Sequence, residues 1–344
     1  MPTEQANLSS TPKNRYPVAM VRKRLKFFGL LIFLGLLVAG IAAAAVVISQ
    51  DGMYAVNAVL RRGGSYWLPI NPADPSLPIG VRLGLQATIP SASAGPLAWT
   101  NVQPGLDVAE LPVIANGEQV DSILLTRIDP QKFRFVLRNT PSGSRDLKTW
   151  LNHLHPAVII NASYYRPNGV PDTPFLSDGT LLSDHNQPAA AGAFLATDKA
   201  ATVVPLLNGD WRGAFAAAQN ALATYPLLLG PAGPDTALQE SHWLANRTFV
   251  GVDSTGRVIL GTTTSAFFSL RRLALFLATA PLDLKIALNM DGGPVACQAV
   301  SVPHYQRFFC GTWESQDHDG KFLKLSWPIN HRYGLPVVLA VFSR

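Results

Sequence analysis

From Phe27 to Ser49 the chain carries no charged residue, in a run rich in Leu, Ile, Val, Gly and Ala. About 20 apolar residues suffice to take a helix across the hydrocarbon core of a bilayer. The next most apolar runs, around Ala287–Asn289 and Leu335–Phe342, are short and end at Pro or a charge. A buried core helix would not be apolar on every face, so the run is expected to span a membrane once. Arg22, Lys23, Arg24 and Lys26 abut its start, and Lys and Arg are retained on the cytoplasmic side. The expected arrangement is a basic cytoplasmic tail (1–26), a span (27–49) in the inner, cytoplasmic membrane, and a periplasmic or otherwise extracytoplasmic C-terminal part. Ala42–Ala45 offer small residues to a signal peptidase. The run exceeds the usual apolar core of a cleaved signal, about 7–15 residues, which favours an uncleaved anchor.

Location also explains the charge. The net +6 includes six basic residues against Glu4 alone within residues 1–26, leaving 22 Lys/Arg against 21 Asp/Glu in the rest. A basic chain raises the question of nucleic acid, but the exported part is balanced, so no nucleic-acid partner is expected. Its two cysteines, Cys297 and Cys310, lie in one region of that part, where an oxidising compartment favours a disulfide between them. Two cysteines without clustered histidines make no zinc pattern.

Along the exported chain, residues 50–95 read as a spacer, because Asn71-Pro72, Asp74-Pro75, Leu77-Pro78 and Gly63-Gly64 interrupt any period. The domain is expected over 96–344. Residues 122–128 and 133–138 read as strands, the second alternating Phe133, Phe135 and Leu137 with Arg134 and Arg138. Ser144 is the expected cap of a helix bearing Leu147, Trp150, Leu151 and Leu154, and Ser269 of one bearing Leu270, Leu273, Ala274 and Leu277. Ala214, Phe215, Ala218, Ala221 and Leu222 suggest a third helix. Residues 193–197 with 201–205, and 249–253 with 258–262, read as hairpins. Hairpins with a few helices favour an α+β domain on a mixed β-sheet.

Three places share one design, in which a short apolar strand delivers a polar residue to a loop: Asn161-Ala162-Ser163-Tyr164-Tyr165, Asn246-Arg247-Thr248 before Phe249–Asp253, and Asn289-Met290-Asp291-Gly292-Gly293. Singly, each reads as a turn or a surface residue. Their order and spacing resemble the phosphodiester glycosidase family, which pairs an Asn-Gly-Gly-Phe-Phe-like strand end with an Arg-Thr-Ala-Ile-Gly strand, a helix and a Leu-Asp-Gly-Gly-Gly-Ser segment. The resemblance extends over roughly residues 99–344. Two departures stand out: Ala162-Ser163 and Pro294-Val295 occupy positions where glycine pairs or Gly-Ser are usual. They put the substrate, and activity itself, in question more than the fold.

The resemblance implies a glycan or sugar-phosphate substrate, cleaved at its anomeric phosphodiester bond. Phosphate is already a good leaving group. The demand is therefore for cationic or N–H donors on the phosphate and a carboxylate at the anomeric carbon or the attacking water. By resemblance Arg247 takes the phosphate and Asp291 is the catalytic carboxylate. Gly292 and Gly293 shape the backbone around the ligand. Asn161 and Asn289 bind sugar hydroxyls or orient Asp291, and Tyr164 joins the binding surface. Asp253, Asp184, Asp178 and Glu240 remain open as a second carboxylate, and His185 and His242 read as surface or hydrogen-bonded residues. A divalent cation beside Asp291 would suit the chemistry, but no ligand spacing points to one. Asp291→Asn and Arg247→Ala are each expected to abolish hydrolysis and leave thermal stability within a few degrees. The competing readings are an envelope protein of the same fold that binds a glycan or polymer without turnover, and a structural partner in an envelope complex.

Overall fold

The computed structural model describes residues 26–46, 66–166, 168–326 and 334–344. It divides into two units, residues 1–50 and 51–344. In the first, Lys26–Val46 form one 21-residue helix of mean hydropathy 2.6 whose apolar window is unburied. At about 1.5 Å per residue this helix is about 30 Å long, the thickness of the hydrocarbon core, so it is long and apolar enough to cross a membrane. The basic tail (1–25), the end of the expected span (47–49) and residues 50–65 lie outside the described residues.

The second unit is α+β. A nine-stranded sheet runs in the order Gly233–Pro234, Leu227–Gly230, Leu284–Asn289, Thr248–Asp253, Val258–Thr263, Glu118–Ile128, Leu106–Ala115 and Ser93–Ala94, with Thr100–Gln103 also on Leu106–Ala115. A five-stranded sheet has the order Tyr305–Cys310, Cys297–Val302, Val158–Asn161, Val337–Ser343, Phe133–Asn139. The ladders between these described strands are antiparallel.

Side-chain alternation assigns each strand two jobs. Val250, Leu260 and Leu288 from the first sheet meet Phe135, Val158, Ile160 and Leu339 from the second in the main core, where Phe194 and Leu222 of another five-stranded sheet join them. On the opposite face, Phe249, Ile259 and Ala287 pack under Leu273, Phe276 and Leu277 of the helix Leu270–Thr279. Ile159, Ala299 and Val338 likewise pack under Trp150 and Leu151 of the helix Leu147–Leu154. Strands buried on both faces have no polar side to show, which is why Thr248–Asp253 and Leu284–Asn289 read as nearly continuous apolar runs.

Three local expectations are corrected or refined. Asp146, not Ser144, caps the helix at 147, its Oδ1 accepting the Thr149 N–H at 2.8 Å. The expected helix around 214–222 stops at Phe215, and Asn220–Thr224 is a strand with every residue buried between Gly192–Ala196 and Phe175–Ser177. An Ala-rich segment buried all round has no face to set its period, so strand pairing decides. The stretch expected as a spacer is ordered from residue 66. Tyr66–Pro69 pairs with Lys321–Ser326 in a four-stranded sheet that continues through Glu314–His318 to Leu244–Ala245. The prolines there sit in Asx turns, with Ala73 N on Asn71 Oδ1 and Ser76 N on Asp74 Oδ1. The helix Ile79–Gly84 buries Val81 with Leu244 and Ala266.

Candidate active site

Asn161 ends the strand Val158–Asn161, and its side chain joins the three loops singled out in the sequence. Its Nδ2 donates to the Asp291 carbonyl at 2.7 Å. Its Oδ1 accepts from Thr248 Oγ1 at 2.9 Å and from the Cys297 N–H at 3.0 Å. Asp291 N–H returns to the Ala162 carbonyl at 2.9 Å, and Met290 N–H to that of Thr248 at 2.8 Å. Asn161 is buried with both amide atoms engaged by protein. Its hydrogen bond to the Asp291 carbonyl is compatible with the orienting part expected for it.

Arg247 precedes the strand Thr248–Asp253 and is buried. Its backbone N–H is fixed by Thr263 Oγ1 at 2.8 Å, its Nε donates to the Phe268 carbonyl at 3.1 Å and its Nη2 to the Trp243 carbonyl at 2.6 Å. The Nε/Nη2 edge is therefore occupied. Nη1 has no acceptor among the described residues and faces the Asp-Gly-Gly turn: a Cβ on Gly292 would sit 3.9 Å from it.

Asp291 is half-buried, one oxygen accepting the Gly292 N–H at 2.8 Å and the other without a partner among the described residues. Burial pushes its carboxyl up to about 8. The Gly292 N–H opposes the shift, the charge of Glu314 adds to it, and the Arg247 guanidinium opposes it. Asp291 and Arg247 are thus close enough to act on each other's charge, and Tyr164 lies within reach of both: burial and then Asp291 raise its phenol, while Arg247 lowers it. The Tyr164 hydroxyl accepts from Asn289 Nδ2 at 2.7 Å, and its ring stacks at 4.7 Å on Tyr225. Asn289 also donates to the Tyr225 carbonyl at 3.1 Å, while its buried Oδ1 has no partner among the described residues.

Two neighbours escaped the sequence reading. Glu314 opens the strand Glu314–His318, and its Oε1 accepts from the Trp243 indole at 3.1 Å. Its Oε2 has no partner among the described residues and lies against the turn, for a Cβ on Gly293 would come within 2.5 Å of it. Gly293 also has φ +66, a backbone conformation that favours glycine. Burial raises the Glu314 carboxyl, opposed by the Trp243 hydrogen bond and by Arg247. Trp243 is 48% exposed and holds both charges, Glu314 through its indole and Arg247 through its carbonyl. The strand bearing Glu314 is tied down by Asn246, whose Oδ1 accepts the N–H groups of Thr312 (3.0 Å) and Trp313 (2.9 Å). The disulfide Cys297–Cys310 secures it from the other side, linking directly opposed residues of adjacent strands as expected. No signal marked Glu314 in the sequence.

The carboxylates held open as partners for Asp291 have other contacts. Asp253 anchors its hairpin turn through Thr255 and Arg257. Asp178 pairs with Arg138 at 2.7 Å, and Asp184 is exposed. Glu240 binds Arg272 at 3.0 Å and Ser269 at 2.8 Å. His185 meets the Asp172 carbonyl and His242 that of Gln86. Among the described residues no group of three or more His, Cys, Asp or Glu is arranged to hold a metal ion.

Residues 155–311 match the phosphodiester glycosidase family model. All three motifs, and the disulfide, fall inside the matched segment, and the resemblance read from the sequence is borne out. Glu314 lies just beyond its end. No curated protein matches the chain. Similar solved structures include the zebrafish N-acetylglucosamine-1-phosphodiester alpha-N-acetylglucosaminidase catalytic domain auto-inhibited by its pro-peptide, with 16% identity, TM-score 0.48, and 81% of this chain and 88% of that one covered. A hypothetical protein from Synechocystis gives 16% identity and TM-score 0.48 over 73% of this chain and 64% of that one. A putative exported protein from Burkholderia pseudomallei gives 12% and 0.44 over 67% and 76%.

Proposed function

We propose that this chain is a membrane-anchored, extracytoplasmic hydrolase that cleaves a glycosyl phosphodiester, the linkage of a sugar-1-phosphate, in an envelope glycan. The family match supports the reaction class. The apolar helix Lys26–Val46 and the disulfide support the anchor and the oxidising compartment. In this reading residues 27–49 are the anchor, 96–344 contain the glycosidase-like domain, and the tail 1–26 is cytoplasmic.

The observation that carries the proposal is the convergence of Asp291 and Arg247, each with a polar atom unclaimed by the described protein. The turn between them has no backbone N–H to offer a phosphate: that of Gly292 goes to Asp291, that of Gly293 to the Asn246 carbonyl, and Pro294 has none. Phosphate binding therefore falls to the Nη1 side of Arg247, desolvated and so strengthened as an electrostatic partner. Asp291, expected from the resemblance as a carboxylate at the anomeric carbon or the water, keeps its proton up to about pH 8 and in this reading gives it to the oxygen that departs with phosphate. The bond broken joins that oxygen to the anomeric carbon, and water adds to the carbon. The products are a free sugar and a phosphate monoester. Tyr164 and Asn289 line the same edge and bind the sugar.

The test is hydrolysis of a panel of glycosyl-1-phosphodiesters by the detergent-solubilised full chain, with released phosphate monoester measured. Turnover lost in Asp291→Asn supports the proposal. Saturable binding without turnover in the wild-type chain would install the binding-protein reading instead, which the glycine losses at Ala162 and Pro294 favour.

A further inference from the structure

We propose that Glu314 is the second catalytic carboxylate, accepting the proton of the attacking water across the site from Asp291, and that Trp243 positions it. This rests on the hydrolase reading above.

The hydrolysis just described needs two proton carriers. One proton goes to the departing phosphate oxygen and comes from Asp291; another leaves the water as its oxygen bonds to the anomeric carbon. The second group must reach the Asp291 turn, be able to ionise and have an oxygen to spare. Asp253, Asp178 and Glu240 fail because their carboxylates are engaged by their own arginines. Glu314 meets all three conditions. Its Oε2 lies against Gly293 and is unpartnered among the described residues, and its charge acts on Asp291. Like charges this close do not both ionise readily, so the pair tends to hold one proton between them, which is the state such a reaction starts from. After turnover the proton gained by Glu314 replaces the one Asp291 lost, and the pair is restored.

Trp243 gives the arrangement its asymmetry. Its indole N–H favours the ionised form of Glu314, whereas the Asp291 carboxylate has only the Gly292 N–H. The charged and titratable groups that face Glu314 are Arg247, Asp291 and, through these two, Tyr164. Arg272, held by Glu240, stands behind Arg247. Lys324 is the cross-strand neighbour of Ser315 and lies over the Trp313 ring.

The experiment compares pH profiles of kcat and KM for the detergent-solubilised full chain, its Glu314→Gln, Glu314→Ala and Trp243→Phe variants, on a glycosyl-1-phosphodiester that the wild type hydrolyses. Gln preserves the size of Glu314 and an acceptor for the indole, so folding is not at stake, and melting temperatures check this. The expected result is a fall in kcat of about 100-fold or more in Glu314→Gln, KM within about threefold, and loss of the acid limb of the profile. Added formate should partly restore Glu314→Ala. Trp243→Phe should keep the acid limb but move it to higher pH. Wild-type kcat and an unchanged acid limb in Glu314→Gln would overturn the inference and leave the hydrolase reading standing. A wild-type chain that hydrolyses no phosphodiester would overturn both.

Discussion

Asn161 and Asp291, 130 residues apart in the chain, are joined by a 2.7 Å hydrogen bond from the amide of the first to the backbone carbonyl of the second. The oxygen of that amide accepts from the Thr248 hydroxyl and the Cys297 N–H. One buried side chain thus sets the relative position of the Asp291 turn, the strand that follows Arg247 and the start of the disulfide strand.

Asn161→Ala should therefore cost more than a hydrogen bond. It leaves the Cys297 N–H and the Thr248 hydroxyl buried without an acceptor, at about 1–3 kcal/mol for each group left unsatisfied. The expected outcome is a melting temperature lowered by several degrees together with a loss of kcat, measured by calorimetry and phosphate release. An unchanged melting temperature would contradict the bridging role.

Asp291→Asn and Arg247→Ala, though both expected to abolish hydrolysis, should part company in stability. Asparagine keeps an acceptor for Gly292 and, unlike the aspartate, need take up no proton on folding near neutral pH, so the Asp291→Asn protein should be at least as stable as the wild type there. Alanine at 247 orphans the Phe268 and Trp243 carbonyls and leaves a cavity, so that protein should melt well below the wild type. Arg247 is a brace as well as a candidate ligand, which the sequence-based expectation of a neutral substitution did not include. Urea titration of the two variants checks the difference.

Gly293→Ala tests the contact between the Asp-Gly-Gly turn and Glu314. The added methyl meets Oε2 and requires a side chain at φ +66. Strain of about 1 kcal/mol or more and displacement of Glu314 should lower both the melting temperature and kcat. Gly256→Ala is the control, since it shares a positive φ but has open space around it; it should lower stability alone.

Stability should also fall as pH rises. The Asp291 carboxyl holds its proton to about 8 in the folded protein, against about 3.9 in an unfolded chain. Between those values the folded state binds more protons than the unfolded one, so each pH unit removes stability. The slope is at most about 1.4 kcal/mol per unit, reduced here because Asp291 is partly exposed. Asp121, buried and also pushed up to about 8 chiefly by burial, adds a slope of the same sign. Denaturation from pH 5 to 8 should show this decline, and Asp291→Asn should flatten it in part.

Much of this architecture was legible because its signals are local. Phe133-Arg134-Phe135 alternates as an outer strand of its sheet must, Ser269 caps its helix, and the Asp253–Arg257 turn closes a hairpin whose chemistry is contained within five residues. The three strand ends of the site carried a recognisable order along the chain. Asn220–Thr224 did not announce itself, since alanine suits a helix and a buried strand alike and only its neighbours in the sheet decide between them. Glu314 was hidden for a related reason. Its importance comes from the Gly293 backbone and the Trp243 indole, neither adjacent in sequence, and a glutamate opening a polar strand looks like any solvated acid.

The pairing of Tyr66–Pro69 with Lys321–Ser326 sets a practical boundary. A soluble version of the protein begun at residue 96 would strip the outermost strand from the sheet that carries Glu314 and lose the helix whose Val81 packs with Leu244 and Ala266. It would bare the backbone donors and acceptors of Lys321–Ser326 to any passing strand, an invitation to aggregate. Any cut made to free the protein from its apolar helix belongs upstream of Tyr66, so that Tyr66–Pro69 and Ile79–Gly84 stay with the sheets they complete.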